Sequence, residues 1–68
     1  MDEARPEPIL QFFEYEHFIP MLREVSKPYR ELALQLVANL PRNAERTVAL
    51  RKLLESKDAA VRAKIFKD

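Results

Sequence analysis

The 68-residue sequence contains no cysteine, no glycine and a single histidine, His17. Without cysteine there is neither a disulfide nor a thiolate metal site, and one imidazole leaves only carboxylates for any metal. Without glycine, tight hairpin turns that need positive φ are disfavoured, which argues against a β-rich fold. A chain this short has a thin core and usually gains stability from disulfides, metals or partner subunits. Association of identical copies is the route that this composition leaves open.

Long apolar runs and an excess of charge of one sign are also missing. No stretch approaches the roughly 20 apolar residues that a bilayer-spanning helix needs. Residues 1–8 carry acids and prolines, unlike a secretory signal. Twelve basic and eleven acidic side chains give a net charge of +1, which argues against a duplex-DNA-binding protein. We therefore expect a cytoplasmic protein with no membrane or DNA partner, although a small anionic ligand would need only a local cluster of donors.

The N-terminal segment, residues 1–19, is rich in prolines and aromatic residues. We expect a short helical turn over residues 8–13 and extended chain over residues 14–19, since the proline at position 20 disfavours the α region just before it. In extended chain, Tyr15 and His17 would point to one side, and Glu14 and Glu16, which alternate with them, would point to the other.

The first long helix is predicted over residues 20–40, because apolar residues recur there at steps of three and four. This stripe consists of Leu22, Val25, Tyr29, Leu32, Leu36 and Leu40, widened by Ala33 and Val37. Pro28 allows two interpretations. Either one helix runs from Pro20 and bends near Pro28, or a helix starts near Ser26 with Pro28 in its first turn. We favour the first.

The second helix is predicted over residues 44–66. Pro41 ends the first helix, Asn43 is a favourable N-cap, and Glu45 lies where the helix dipole favours an acid. The apolar face consists of Leu50, Leu53, Leu54, Ala60, Val61 and Ile65. Lys57 and Lys64 interrupt that face, and we expect their stems to be buried and their ammonium groups to reach solvent.

Two helices of about 20 residues joined by a short connector must lie antiparallel. The sequence therefore predicts one all-α domain over residues 1–68, an antiparallel helical hairpin with a short N-terminal segment. Leu34, Ala38 and Val48 extend the apolar surface around the sides of the two stripes. Each helix thus needs more than one neighbour, and we expect a homo-oligomer, either a dimeric four-helix bundle or a larger ring.

Catalysis is not expected. The chain has no cysteine, no glycine-rich phosphate loop and no second histidine, and neither Ser26 nor Ser56 stands beside the histidine in sequence. We accordingly predict a binding protein without cofactor or metal.

Aromatic side chains of the N-terminal segment form the first candidate binding group. The rings of Tyr15 and His17 are suited to stacking on nucleobases, or else to half-buried positions with their polar tips in water. We assign Phe12, Phe13 and Phe18 to the core.

Basic side chains form two further groups. Arg42, Arg46 and Arg51, with Thr47, surround the start of the second helix, where free amides and arginine forks suit phosphate. The alternative, favoured on these residues alone, is that Glu45 pairs with a neighbouring arginine and the others are solvated. Arg23, Lys27 and Arg30 share one helical face near Pro28, and this face is either solvated or in contact with another subunit.

The strings FEYEH, VSKPYRELA and LPRNAERTVALRKLLESKDAAVRA together resemble the small phage proteins that share an anti-CBASS and Thoeris-antagonist helical hairpin. Those proteins are sponges that sequester the cyclic-nucleotide second messengers of bacterial immunity. The resemblance covers about residues 12–63. It implies a homohexamer in the infected host's cytoplasm, with cyclic dinucleotides or trinucleotides held at subunit boundaries.

Site residues follow from the resemblance as expectations. It implies that Tyr15 stacks on a base, that Lys27 or Arg30 is the cation beside it, and that Arg46 and Thr47 belong to a second pocket. Unlike many relatives, this chain places Glu16 between the tyrosine and the histidine. The alternative function is a small helical interaction module that binds a partner helix.

Overall fold

The computed structural model describes residues 7–15 and 18–66, and 83% of these residues lie in helices. A 3₁₀ helix spans Pro8–Phe13, helix α1 spans Pro20–Asn39 and helix α2 spans Ala44–Ile65. The described ranges contain no strand. The all-α class is confirmed, and the short helical turn predicted over residues 8–13 is present as the 3₁₀ helix.

Helix α1 is continuous through Pro28. The interpretation in which a helix starts near Ser26 is therefore wrong, and one helix runs from Pro20 as predicted, while its bend near Pro28 stays a prediction. Pro20 occupies the first turn, where a missing N–H costs nothing because that amide has no intrahelical acceptor. The helix ends at Asn39, one residue earlier than predicted, because Leu40 precedes a proline and takes an extended conformation (φ −110°, ψ 143°).

Helix α2 begins as its local sequence predicts. The backbone amide of Arg46 donates to the Asn43 side-chain oxygen at 2.9 Å, so Asn43 is the N-cap. Glu45 lies in the first turn, and the basic Arg62 and Lys64 lie in the last, where the negative end of the helix dipole favours them. The helix ends at Ile65 and not at residue 66, whose backbone is extended.

The two long helices pack against each other in antiparallel orientation. Near the connector, Arg46 of α2 donates to the carbonyl oxygen of Val37 in α1. Farther away, the Ser56 hydroxyl of α2 donates to the Tyr29 hydroxyl of α1 at 3.3 Å. These pairs run in opposite order along the two helices, as a hairpin requires. The 3₁₀ helix packs against both.

The core is small. Its fully buried apolar residues are Phe13 of the 3₁₀ helix, Ala33 of α1 and Leu50 of α2, one from each element. Partly buried apolar side chains surround them: Ile9, Leu10, Tyr29, Leu36, Val37, Leu53 and Leu54. Of the three phenylalanines assigned to the core, only Phe13 is fully buried. Phe12 is exposed and Phe18 is half-buried.

Helix α1 is turned relative to the predicted stripe. Ser26 and Ala33, seven residues apart, are its buried residues, whereas Leu32 and Leu40 are exposed. The centre of the contact therefore carries small side chains, which let the two helices approach closely. Ile65, the last residue of α2, is also exposed.

The position of Lys57 contradicts the prediction that its ammonium group reaches solvent. The residue is 6% exposed, and its ammonium group lies 3.0 Å from Asp58 Oδ1 and 5.8 Å from the centroid of the Phe18 ring. The charge is therefore covered and paired instead of reaching open solvent. Lys64 also differs from its prediction, because the whole residue is exposed and its stem is therefore not buried.

Substitution of Lys57 tests whether its stem or its charge stabilises the fold. We expect Lys57→Met to change the free energy of unfolding by less than about 1.5 kcal/mol, because methionine keeps the apolar volume and Asp58 remains half in water. Lys57→Ala should cost about 2 kcal/mol or more, because it leaves a cavity. Urea unfolding followed by circular dichroism measures both. A methionine variant as unstable as the alanine variant would show that the charge matters more than the stem.

None of the described helices is long and apolar enough to cross a membrane.

Candidate ligand-binding site

Arg46 is buried at the junction of the two helices, with 6% of the residue exposed. Its Nη1 donates to the carbonyl oxygens of Val37 (3.1 Å) and Leu40 (3.0 Å). The Val37 carbonyl would ordinarily accept the amide of residue 41, but that residue is a proline without an N–H. Arg46 thus satisfies the Val37 carbonyl, which the proline leaves unpaired, and also the carbonyl of Leu40, the residue that follows α1.

Glu7 joins this arginine to the N-terminal segment. Its Oε1 lies 3.2 Å from Arg46 Nη2 and 3.1 Å from Arg42 Nη2, and Glu7 is only 9% exposed. The sequence alternative paired an arginine with Glu45, but the ion pair of Arg46 is with Glu7, 39 residues earlier in the chain. The carboxylate therefore holds the start of the 3₁₀ helix against the connector.

The side chains predicted around the start of α2 divide into two sets. Arg42 and Arg46 meet around Glu7 and serve the fold of the single chain. Thr47 and Arg51 are exposed on α2, and the Thr47 hydroxyl donates to the Asn43 carbonyl at 3.3 Å. In one hairpin these four side chains do not converge on a common phosphate.

A groove of about 250 Å³ lies between the 3₁₀ helix and α1. Its apolar lining comes from Pro8, Leu10 and Leu34, and its polar lining comes from Glu7, Gln11, Glu14 and Arg30. The Gln11 side-chain amide donates to the Pro8 carbonyl at 2.9 Å, which fixes the orientation of that amide. Among the predicted site residues, the groove contains Arg30, which is half-buried.

The groove also contains Leu10, Gln11 and Glu14, which no pattern in the sequence marks as site residues. The proline at position 8 indicated a helical turn, but no spacing in the sequence links that turn to Arg30 some 20 residues later. Only the packing of the 3₁₀ helix on α1 brings them together.

The remaining aromatic and basic candidates lie near the groove in sequence. Tyr15 is half-buried and Lys27 is exposed, whereas His17 lies outside the described residues. The backbone angles of Glu14 are extended, as predicted. The Phe18 amide donates to the Tyr15 carbonyl at 2.9 Å. The predicted alternation of Tyr15 and His17 with the acidic residues depends on positions 16 and 17, which lie outside the described residues.

No group of three or more potential metal ligands is present within residues 7–15 and 18–66. A second, shallow depression of about 320 Å³ is lined by Pro28, Tyr29 and Leu32 of α1. Comparison of the chain with protein-family models, with curated proteins and with solved structures finds no match.

Proposed function

We propose that this chain is a phage-encoded, non-enzymatic sponge that sequesters cyclic dinucleotides or trinucleotides and so blocks bacterial anti-phage signalling such as CBASS. It acts as a homo-oligomer, a hexamer by analogy with the family it resembles, in the cytoplasm of the infected host. The observation that carries the proposal is that aromatic and basic candidate side chains occur in the N-terminal segment and on both long helices, while large apolar side chains remain exposed within the described residues.

The uncovered apolar surface supports assembly. Large apolar side chains are exposed on every element of the chain: Phe12, Ile19, Met21, Leu32, Leu34, Leu40, Val48, Ile65 and Phe66. Extended apolar patches on a soluble chain mark interaction surfaces. A net charge of +1 gives little repulsion between copies. Further copies of the hairpin are the simplest cover for this surface.

The dispersed polar groups support a ligand site between copies. Tyr15 offers an aromatic face, Lys27 an exposed ammonium group and Arg30 a half-buried guanidinium group, while Thr47 and Arg51 are exposed on the other helix. A pocket assembled from two copies can combine these groups around a ligand that one 68-residue chain could not enclose. Tight binding without a nucleophile or a metal then removes the messenger from solution unchanged.

A retention experiment tests the proposal directly. Purified protein is mixed with cyclic dinucleotides and trinucleotides, filtered, denatured and analysed for released nucleotide, while light scattering gives the number of copies. We expect an assembly that retains at least one of these ligands and releases it intact. A hydrolysed ligand, a stable monomer or no retention of any cyclic nucleotide would contradict the proposal.

Tyr15→Ala should weaken retention about 10-fold or more, because a base stacked on an aromatic ring contributes about 1–3 kcal/mol. Lys27→Ala should also weaken it, through loss of a phosphate contact. Lys52→Ala is the matched control, because Lys52 is exposed and pairs only weakly with Glu55 at 3.7 Å. Isothermal titration with the cyclic nucleotide that wild type retains measures the affinity of all three variants. If the Tyr15→Ala and Lys52→Ala variants bind the ligand with equal affinity, Tyr15 is not part of the binding site.

A bacterium that carries a CBASS system tests the biological role. Expression of the chain should restore the plating efficiency of a phage that the system restricts, and the Tyr15→Ala variant should restore it less.

The alternative is an interaction module that binds a partner helix. It is favoured by the shallow depression at Pro28, Tyr29 and Leu32, whose lining is mostly apolar. This function predicts a dimer with no affinity for nucleotides in the same retention experiment.

A further inference from the structure

We propose that the groove between the 3₁₀ helix and α1 is a guanine-selective base site, in which Glu14 and Arg30 bind the edge of the base. The inference deepens the proposed function and rests on it for the ligand's class, a guanine-containing cyclic nucleotide. It depends on the groove's charges, on its apolar walls and on the hydrogen-bonding groups that line it.

The charges disfavour a phosphate in this groove. Glu14 and Arg30 both line it, yet neither forms an ion pair within the part of the chain that the structure describes. The other carboxylate, Glu7, is already paired with Arg42 and Arg46. A phosphate beside Arg30 would also face the negative charge of Glu14, and that repulsion offsets the attraction. A neutral group that donates to a carboxylate and accepts from a guanidinium meets no such conflict.

The walls suit a flat, apolar face. Pro8 and Leu10 come from the 3₁₀ helix and Leu34 comes from α1, so apolar side chains line the groove from both elements. Ligand sites that combine apolar walls with a few polar groups use the walls to cover the ligand and the polar groups to orient it. A nucleobase has faces and an edge of this kind.

The hydrogen-bonding groups match guanine better than adenine. Guanine presents two adjacent N–H donors, at N1 and N2, and two acceptors, at O6 and N7. A carboxylate can accept both N–H groups, while arginine donates to O6 and N7. One N–H of the Gln11 amide donates to the Pro8 carbonyl, which leaves the second N–H as a donor and the oxygen as a further acceptor. In the same orientation, adenine would place its N1 lone pair against the Glu14 carboxylate and its N6 amino group against the Arg30 guanidinium group.

This assignment separates the roles of the two cations. Lys27 is exposed, three residues before Arg30 on the same face of α1, and the groove's lining does not include it. Lys27 therefore holds the phosphate, and Arg30 contacts the base. Sequence reasoning had left open which of the two reaches the ligand.

Titration of the full-length protein with cyclic di-GMP and with cyclic di-AMP tests the base site. We expect wild type to bind cyclic di-GMP about tenfold more tightly, the low end of what one good two-point contact contributes. Glu14→Gln should reduce this preference to less than about threefold. Glu31→Gln is the matched control, because it removes the same charge from an exposed residue beside Arg30 that does not line the groove.

The outcomes separate this inference from the sponge proposal. Equal affinity of wild type for the two dinucleotides, or a preference unchanged by Glu14→Gln, would overturn the base site and leave the sponge intact. If neither dinucleotide binds, titration with GMP and with AMP tests the base site by itself, because the groove is formed by one chain. Methyl resonances of Leu10 and Leu34 that shift with GMP and not with AMP support the groove. No shift with either nucleotide overturns it.

Discussion

Arg46→Ala is expected to lower the free energy of unfolding by about 3–5 kcal/mol, the range for removing one partner of a buried ion pair. The substitution leaves the Glu7 carboxylate without its buried partner and the carbonyls of Val37 and Leu40 without a donor. Small domains have only about 5–15 kcal/mol of stability in total. Loss of this one side chain should therefore bring the hairpin close to unfolding.

Urea unfolding at a fixed protein concentration measures this effect, since association of copies adds to apparent stability. Arg51→Ala is the control, because Arg51 is exposed one turn farther along α2, and its loss should cost about 0.5 kcal/mol or less. Arg46→Lys should fall between the two, because an ammonium group keeps the charge but lacks the planar fork that reaches several acceptors. An Arg46→Ala variant within about 1 kcal/mol of wild type would show that the connector does not depend on this arginine.

Phe13→Ala is expected to cost about 3–5 kcal/mol, because it removes a fully buried ring from a core with few fully buried residues. Phe13 is the fully buried apolar residue that the 3₁₀ helix contributes. Its loss should therefore release that helix from the hairpin, and with it one wall of the groove. The retained far-ultraviolet dichroism of α1 and α2 at low urea would distinguish such release from global unfolding.

Phe12 provides a control one position away, with the same side chain on the exposed side of the same helix. Phe12 is 56% exposed, so Phe12→Ala should cost about 0.5 kcal/mol or less in the isolated chain. Equal losses from the two substitutions would contradict the placement of Phe13 in the core. A larger loss for Phe12→Ala that grows with protein concentration would place Phe12 in a contact between copies.

A single chain carries only some of the side chains that the proposed assembly and ligand site require. Large apolar side chains are exposed in the single hairpin, and the candidate residues Tyr15, Lys27 and Arg30 belong to the N-terminal segment and to α1. The retention experiment and the comparison of guanine with adenine ligands address these two steps separately.

The sequence by itself determined the two long helices and, to within one residue, their ends. Pro20 at the start of α1, Pro41 after its end and Asn43 as the cap of α2 act through backbone groups a few residues away, so local rules suffice. The apolar period of 3.6 residues and the short connector then required an antiparallel hairpin. These inferences need no knowledge of which distant residues meet.

The tertiary structure alone decided which face of α1 is buried and what the basic residues do. Ala33 is buried in place of Leu32 because close helix packing favours small side chains at the centre of the contact, which hydrophobicity does not reveal. Arg46, one of the candidate phosphate ligands, pairs with Glu7 because the 3₁₀ helix folds back over the connector. No periodicity in a sequence indicates that residues 39 positions apart are in contact, so only the tertiary structure shows this ion pair.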